Sequence, residues 1–197
     1  MKPTLALDLD ETLVHTVQEK EQWNLIKDTY ADCPGEVLHH SFDDKYHVKV
    51  VKRPGVMEFL YEMEKRFRLV IFTDGTRSYA TPILDWLDPS GALFAAHYHQ
   101  DDCTVHRSRD GTESLVKDLR KLGVSVNQVL LLNNRSMSYH LTESLFRISL
   151  LIGTTSFSCK ERTQTFFIIS VLENLSELVF RQSFAGSLKN TSTHRYV

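Results

Sequence analysis

The stretch Thr4-Leu5-Ala6-Leu7-Asp8-Leu9-Asp10-Glu11-Thr12-Leu13-Val14 constrains everything that follows it. A short apolar run that breaks into carboxylates at i and i+2, then a threonine, predicts a buried strand delivering acids to its C-terminal end. Side chains two apart on a strand point the same way, so Asp8 and Asp10 can converge on one cation or one phosphorus atom. In an open α/β sheet, ligands sit at that edge. Taken alone, two acids also suit an ordinary strand-to-loop exit, and the rest of the chain must decide.

Two more apolar strands end in polar groups. Phe67-Arg68-Leu69-Val70-Ile71-Phe72 runs into Thr73-Asp74-Gly75-Thr76, with a helix expected over about 78–87. Thr73 by itself also suits a helix cap. Gln128-Val129-Leu130-Leu131-Leu132 runs into Asn133-Asn134, which alone is a simple turn former. Between strands, Val56, Phe59, Leu60 and Met63 have helical spacing, with Pro54 placed for the first turn. From Glu113, Leu115, Val116, Leu119 and Leu122 predict another helix, stopped by Gly123. Lys117 lies off that apolar face, where a lysine normally serves solubility. A fourth strand at 150–152, an amphipathic helix over 165–180 through Phe167, Val171, Leu172 and Leu175, and a polar tail over 183–197 complete the pattern.

Two irregular stretches interrupt it. Residues 15–50 should end in a strand pair that includes Tyr46-His47-Val48-Lys49-Val50-Val51, after a helical turn or strand at 23–30 and a turn at 31–36. Residues 88–112 should hold short strands at Leu93-Phe94 and at His97-Tyr98-His99, a break at Asp101-Asp102-Cys103 and a turn at Arg109-Asp110-Gly111-Thr112. His39, His40 and His47 lack the spacing or second cluster that holds zinc. His97, His99 and His106 suit surface or supporting positions.

Composition excludes several classes. The 197 residues, 42% hydrophobic, suffice for one well-buried core, so a single domain with an insertion is expected. A net charge of -2 gives no basic footprint, and direct nucleic-acid binding is not expected. Cys33, Cys103 and Cys159 are far apart and outside any C-x-x-C spacing, which points to a reduced intracellular setting, nuclear or cytoplasmic. Met1-Lys2-Pro3 leads straight into the first strand without a signal peptide, and the apolar stretch at 145–152 is broken by Arg147 and Ser149, so no membrane span is expected.

Asp8 with Asp10, Thr73, Lys117, and Asn133 with Asn134 occur in an order that suits phosphoryl transfer through an aspartyl enzyme. One carboxylate must attack phosphorus and a second must shuttle a proton. A hydroxyl and an ammonium must hold phosphoryl oxygens, while oxygen-ligated magnesium offsets charge.

The stretch from Asp8 to His15 resembles the D-x-D-x-T-L-V-H motif of haloacid-dehalogenase (HAD) phosphatases of the FCP/SCP group, the NLI-interacting-factor-like or C-terminal-domain phosphatases. Further matches are Lys52-Arg53-Pro54-Gly55-Val56 with Glu58-Phe59-Leu60, Phe72-Thr73 with Tyr79-Ala80 and Pro82, and Cys103 with Val116-Lys117-Asp118-Leu119 and Leu122-Gly123. The resemblance implies a Rossmann-like α/β HAD core: a central parallel sheet, and a small β-rich insertion between the second strand and the lysine-bearing helix. It implies one phosphatase domain over 1–182, insertion at about 88–112, and a tail over 183–197. It also implies a magnesium-dependent protein serine/threonine phosphatase. Asp8 is then the nucleophile and Asp10 the general acid and base. Thr73 and Lys117 join them in catalysis, and Thr12, Thr73, Asp74 and Lys117 contact substrate. Mg2+ is held by Asp8, Asp10, Asn133 and Asn134. The implied partner is a phosphoprotein, with the RNA polymerase II C-terminal domain as one candidate.

Several positions depart from that pattern. Asn133 stands where the group has aspartate, which weakens attraction to a divalent ion by a few kcal/mol at an effective dielectric of ~20. Gln100 stands where an arginine is common. Asp74-Gly75-Thr76 replaces a small Ala-Ser start, and Cys159-Lys160-Glu161-Arg162 replaces an acidic stretch. A binding module of this fold that has lost catalysis, and a small-molecule phosphatase, therefore stay open beside the protein phosphatase.

Overall fold

The computed structural model describes residues 2–17, 23–24, 27, 36–42, 46–53, 55–125 and 128–133. The expected Pro54 helix start, most of the 23–36 segment, Asn134, and the strand, helix and tail beyond it lie outside those residues.

The central sheet is parallel, in the order β6-β5-β1-β9, with β1 Thr4–Leu7, β5 Arg68–Phe72, β6 His97–Tyr98 and β9 Val129–Leu132. Leu7 is level with Ile71 on one side and Leu132 on the other, and all four residues of β1 are buried. That explains the unbroken apolar run: a parallel strand covered on both faces has no solvent side to alternate toward. The chain leaves β1 for β5 and β6 on one flank, then returns to β9 on the other. The carboxyl end of β1 is thus a topological switch point, where open α/β sheets take ligands.

Both sheet faces are covered. Leu5, Leu7, Leu69 and Ile71 pack with α1 (Val56–Arg66) and α2 (Arg77–Leu87), while Ala6, Val70 and Phe72 pack with Leu119 and Leu122. The α1 face is Val56, Phe59, Leu60 and Met63, as the spacing predicts. Each such side chain contributes about 1.5–3 kcal/mol on burial. Gly55 precedes α1 with φ 76°, a conformation that glycine adopts without a Cβ clash.

The first insertion forms a three-stranded antiparallel sheet, β2-β4-β3, from β2 Val14–Val17, β3 Val37–Phe42 and β4 Tyr46–Lys52. In the second insertion Leu93 and Phe94 are not a strand. The Asp88 carboxylate takes their backbone amides instead, at 2.7 and 3.2 Å. Gln100–Asp102 form a single tight turn, and Arg109 to Thr112 lie in the turn of a hairpin.

The expected helix from Glu113 is not formed. Glu113–Val116 is strand β8, paired antiparallel with β7, Thr104–Arg107, and only Leu119–Leu122 coil into a short 3-10 turn. The apolar spacing at 115, 116, 119 and 122 is real, but pairing with β7 satisfies the backbone of its first half. Among the described residues no helix is long and apolar enough to cross a membrane.

Candidate active site

Asp8 follows the last residue of β1, and its amide donates to the Leu132 carbonyl at 2.9 Å, so β9 fixes the backbone under it. The residue is 4% exposed. Oδ1 accepts from the Leu9 amide at 2.8 Å and from the Lys117 ammonium at 2.6 Å. Burial pushes the Asp8 carboxyl upward from its ordinary value, and the Lys117 charge pulls it back.

Lys117 is itself 1% exposed, just beyond β8. The solvated helix position expected for it is corrected: because β8 is a strand, the chain delivers the side chain inward, where a charge needs a partner.

Asp10 opens a tight turn that rejoins β2. The Glu11 amide reaches the Val14 carbonyl at 2.8 Å, and Glu11 has φ 58°, unusual for a residue with a Cβ. Asp10 Oδ1 accepts from the Tyr79 hydroxyl and, at 3.3 Å, from Thr16 Oγ1. The Tyr79 and Thr16 hydroxyls are 2.6 Å apart. Burial raises the Asp10 pKa to about 6; the Tyr79 bond opposes the rise and the Asp8 and Asp74 charges add to it. A carboxyl so tuned can hold a proton near neutral pH. Burial, with Asp10 beside it, keeps the Tyr79 phenol protonated well past its ordinary value.

Thr73 follows β5 and is fully buried. It is not the helix cap, which Thr76 supplies by accepting from the Tyr79 amide at 3.3 Å. Thr73 Oγ1 instead accepts from the Gly75 amide at 3.0 Å, and its own N–H donates to the Tyr98 carbonyl at 3.0 Å. A Cβ at Gly75 would come within 2.9 Å of Tyr79 Cδ1 and 3.3 Å of Thr73 Oγ1, so glycine lets the tyrosine ring approach. Asp74 is half-buried, and its charge acts on both Asp8 and Asp10.

Thr12 is completely buried, and its hydroxyl has no hydrogen-bond partner among the described residues. Asn133, 2% exposed, follows β9 in the register that sets Leu132 beside Leu7, which brings it next to Asp8. The fold thus gathers Asp8, Asp10, Thr12, Thr73, Asp74, Lys117 and Asn133 at one sheet edge; Asn134 lies outside the described residues. His99 is buried rather than at the surface. Among the described residues no three His, Cys, Asp or Glu side chains form a metal cluster.

Four contributors were not assigned a role from the sequence: Arg53, Tyr79, Thr16 and Gly75. Arg53 and Tyr79 stand within the matched motifs, but their partners are distant along the chain. No local pattern marks Thr16 or Gly75.

The family description "NLI interacting factor-like phosphatase" matches residues 3–178. The human carboxy-terminal domain RNA polymerase II polypeptide A small phosphatase 1 is 37% identical over 139 residues, 70% of this chain and 47% of that protein. The nuclear envelope morphology protein 1 of Schizosaccharomyces pombe is 30% identical over 141 residues, 71% of this chain and 27% of that protein. The chain therefore spans less than half the length of these two relatives. A fission yeast RNA polymerase II CTD phosphatase, Fcp1, solved bound to beryllium fluoride, shares the fold with a TM-score of 0.58 at 21% identity, over 100% of this chain and 58% of that one. With a match running through nearly all of its length, the chain belongs to the NLI interacting factor-like phosphatase family.

Proposed function

We propose that the chain is the catalytic domain of a magnesium-dependent phosphoserine/phosphothreonine protein phosphatase that works through an aspartyl-phosphate. The observation that carries this reading is the buried Asp8–Lys117 pair at 2.6 Å, set at the switch point of the sheet. Two buried charges are costly in a purely structural role, because desolvation offsets much of their attraction.

Lys117 and the Leu9 amide engage Oδ1, which leaves Oδ2 of Asp8 to attack phosphorus. As the bond from phosphorus to the serine or threonine oxygen breaks, Asp10 gives that oxygen its proton. Asp10 then takes a proton from water, whose oxygen attacks the phosphorus of the aspartyl-phosphate. Inorganic phosphate leaves and Asp8 is regenerated. Thr73 can donate its hydroxyl proton to a phosphoryl oxygen, and the orphaned hydroxyl of Thr12 needs a partner of the kind a ligand or water supplies.

The donors around Asp8 fit magnesium. The Asp8 carboxylate, the Asp10 carbonyl and the Asn133 amide oxygen are all hard oxygen ligands, which that ion prefers. When bound, the ion offsets the charge on the phosphoryl oxygens. A phosphoprotein is the proposed substrate, in keeping with the names of the relatives. The RNA polymerase II tail as its identity, and a nuclear or cytoplasmic setting, belong to the same proposal.

One observation favours a second reading. Asn133 removes a carboxylate beside Asp8, which suits a domain that retains binding and has lost turnover. Hydrolysis of p-nitrophenyl phosphate with and without magnesium decides, alongside Asp8→Asn and Asn133→Asp. Magnesium-dependent turnover that vanishes in Asp8→Asn supports the enzyme. An inactive parent that gains turnover in Asn133→Asp supports the lapsed one.

A further inference from the structure

Arg53, just beyond β4, donates to three successive carbonyls of the turn after Asp10. Nη2 reaches Glu11 O at 2.8 Å, Nε reaches Thr12 O at 2.7 Å, and the main-chain amide reaches Leu13 O at 2.9 Å. The residue is 7% exposed, so these carbonyls have little access to water in its place. The amides of the same turn are satisfied from inside. Leu13 N and Val14 N both donate to Leu9 O, at 2.9 and 3.1 Å, and Glu11 N donates to Val14 O at 2.8 Å.

With its carbonyls held from outside and its amides from inside, the turn has a single backbone arrangement. That arrangement puts Glu11 at φ 58°, where a Cβ crowds the backbone and the conformation persists only if its surroundings impose it. The fork of the guanidinium matches the task, since Nε and Nη2 diverge toward neighbouring carbonyls as a lysine ammonium could not.

We propose that Arg53 is a positioning residue: by holding the carbonyls of Glu11, Thr12 and Leu13 it fixes the turn that sets Asp10 and Thr12 relative to Asp8. It acts through the carbonyls of that turn, and it ties the insertion sheet, through β4, to the acid-bearing turn. Its effect on turnover rests on the phosphatase reading; its hold on the turn does not.

The experiment compares the parent with Arg53→Gln, Arg53→Lys, Glu11→Gly and the Arg53→Gln/Glu11→Gly double variant, by amide hydrogen exchange and by p-nitrophenyl phosphate hydrolysis with magnesium. In Arg53→Gln the amides of Leu13 and Val14 should exchange at least about tenfold faster while those of β5 keep their parent rates. Turnover should fall about tenfold or more in kcat with KM little changed, since misplacing a reacting group slows chemistry before it weakens binding. Arg53→Lys should restore little of either. Glu11→Gly should return part of both losses, because glycine takes the same φ without a Cβ clash. Exchange unchanged in Arg53→Gln, exchange accelerated equally in β1 and β5, or no rescue by Glu11→Gly would each overturn the proposal. A parent without turnover refutes the phosphatase reading alone, and the exchange pattern then decides for or against Arg53.

Discussion

The Lys117 ammonium lies 2.6 Å from Asp8 Oδ1, and both side chains are almost wholly shielded from water. Removing one partner strands the other as an uncompensated buried charge. Lys117→Met should therefore cost about 3–5 kcal/mol of stability as well as turnover. Adding Asp8→Asn to Lys117→Met should recover much of the stability and none of the turnover. Urea unfolding of the two single variants and the double variant measures the coupling.

Asn133→Asp adds a carboxylate beside Asp8. Without metal, two like charges in a buried place repel, so the variant should melt below the parent in EDTA. Magnesium should reverse the order, and the apparent affinity for the ion should rise about tenfold or more. Thermal melts across a magnesium titration test this without any assay of activity.

Gly75→Ala drives a methyl toward Tyr79 Cδ1, at 2.9 Å before relaxation, and the ring can yield only by moving its hydroxyl relative to Asp10. The expected cost is about 1–3 kcal/mol, the usual range for overpacking. Turnover should fall in the same direction in Tyr79→Phe, which deletes the hydroxyl without the clash and should cost only about 1 kcal/mol. Calorimetry and kcat on both variants separate crowding from the lost hydrogen bond.

Asp88 gives the fold an acid-sensitive joint. Burial pushes its carboxyl up, but bonds from the Ser90 hydroxyl and the amides of Leu93, Phe94 and Ala92 outweigh that and hold it below its ordinary value. A depressed folded-state pKa means stability that is fully present above the unfolded value, about 3.9, and lost as pH falls through the folded one. Asp88→Asn should thus be less stable than the parent at neutral pH, by about 1–3 kcal/mol. The gap should narrow as the parent's carboxyl is protonated. Chemical denaturation from pH 7 down to about pH 3 follows the convergence.

Much of the site was legible because it is local. Asp8, Thr73 and Asn133 each end an apolar strand, and strand followed by polar group is a pattern of adjacent residues. The motif at 8–15 and its companions brought Lys117 into the set by likeness, against the local pattern, which placed it on a solvated helix. Leu93 and Phe94 read as a strand for a similar reason. Apolar residues in a row suit a sheet, and nothing nearby reveals that Asp88 takes their amides.

By itself, the sequence determined strands β1, β4 and β5, helices α1 and α2, the buried character of β1, and the identity of most groups at its edge, since period and polarity are carried by neighbouring residues. Only the tertiary structure decided how those groups act. The pairing of β7 with β8 turned a helical period into a hairpin and drove Lys117 onto Asp8. The closing of α2 over Gly75 brought Tyr79 to Asp10, and the end of β4 brought Arg53 to the turn. Each of these is a contact between segments far apart along the chain, where a buried charge, carbonyl or hydroxyl had to find a partner that no local pattern could name.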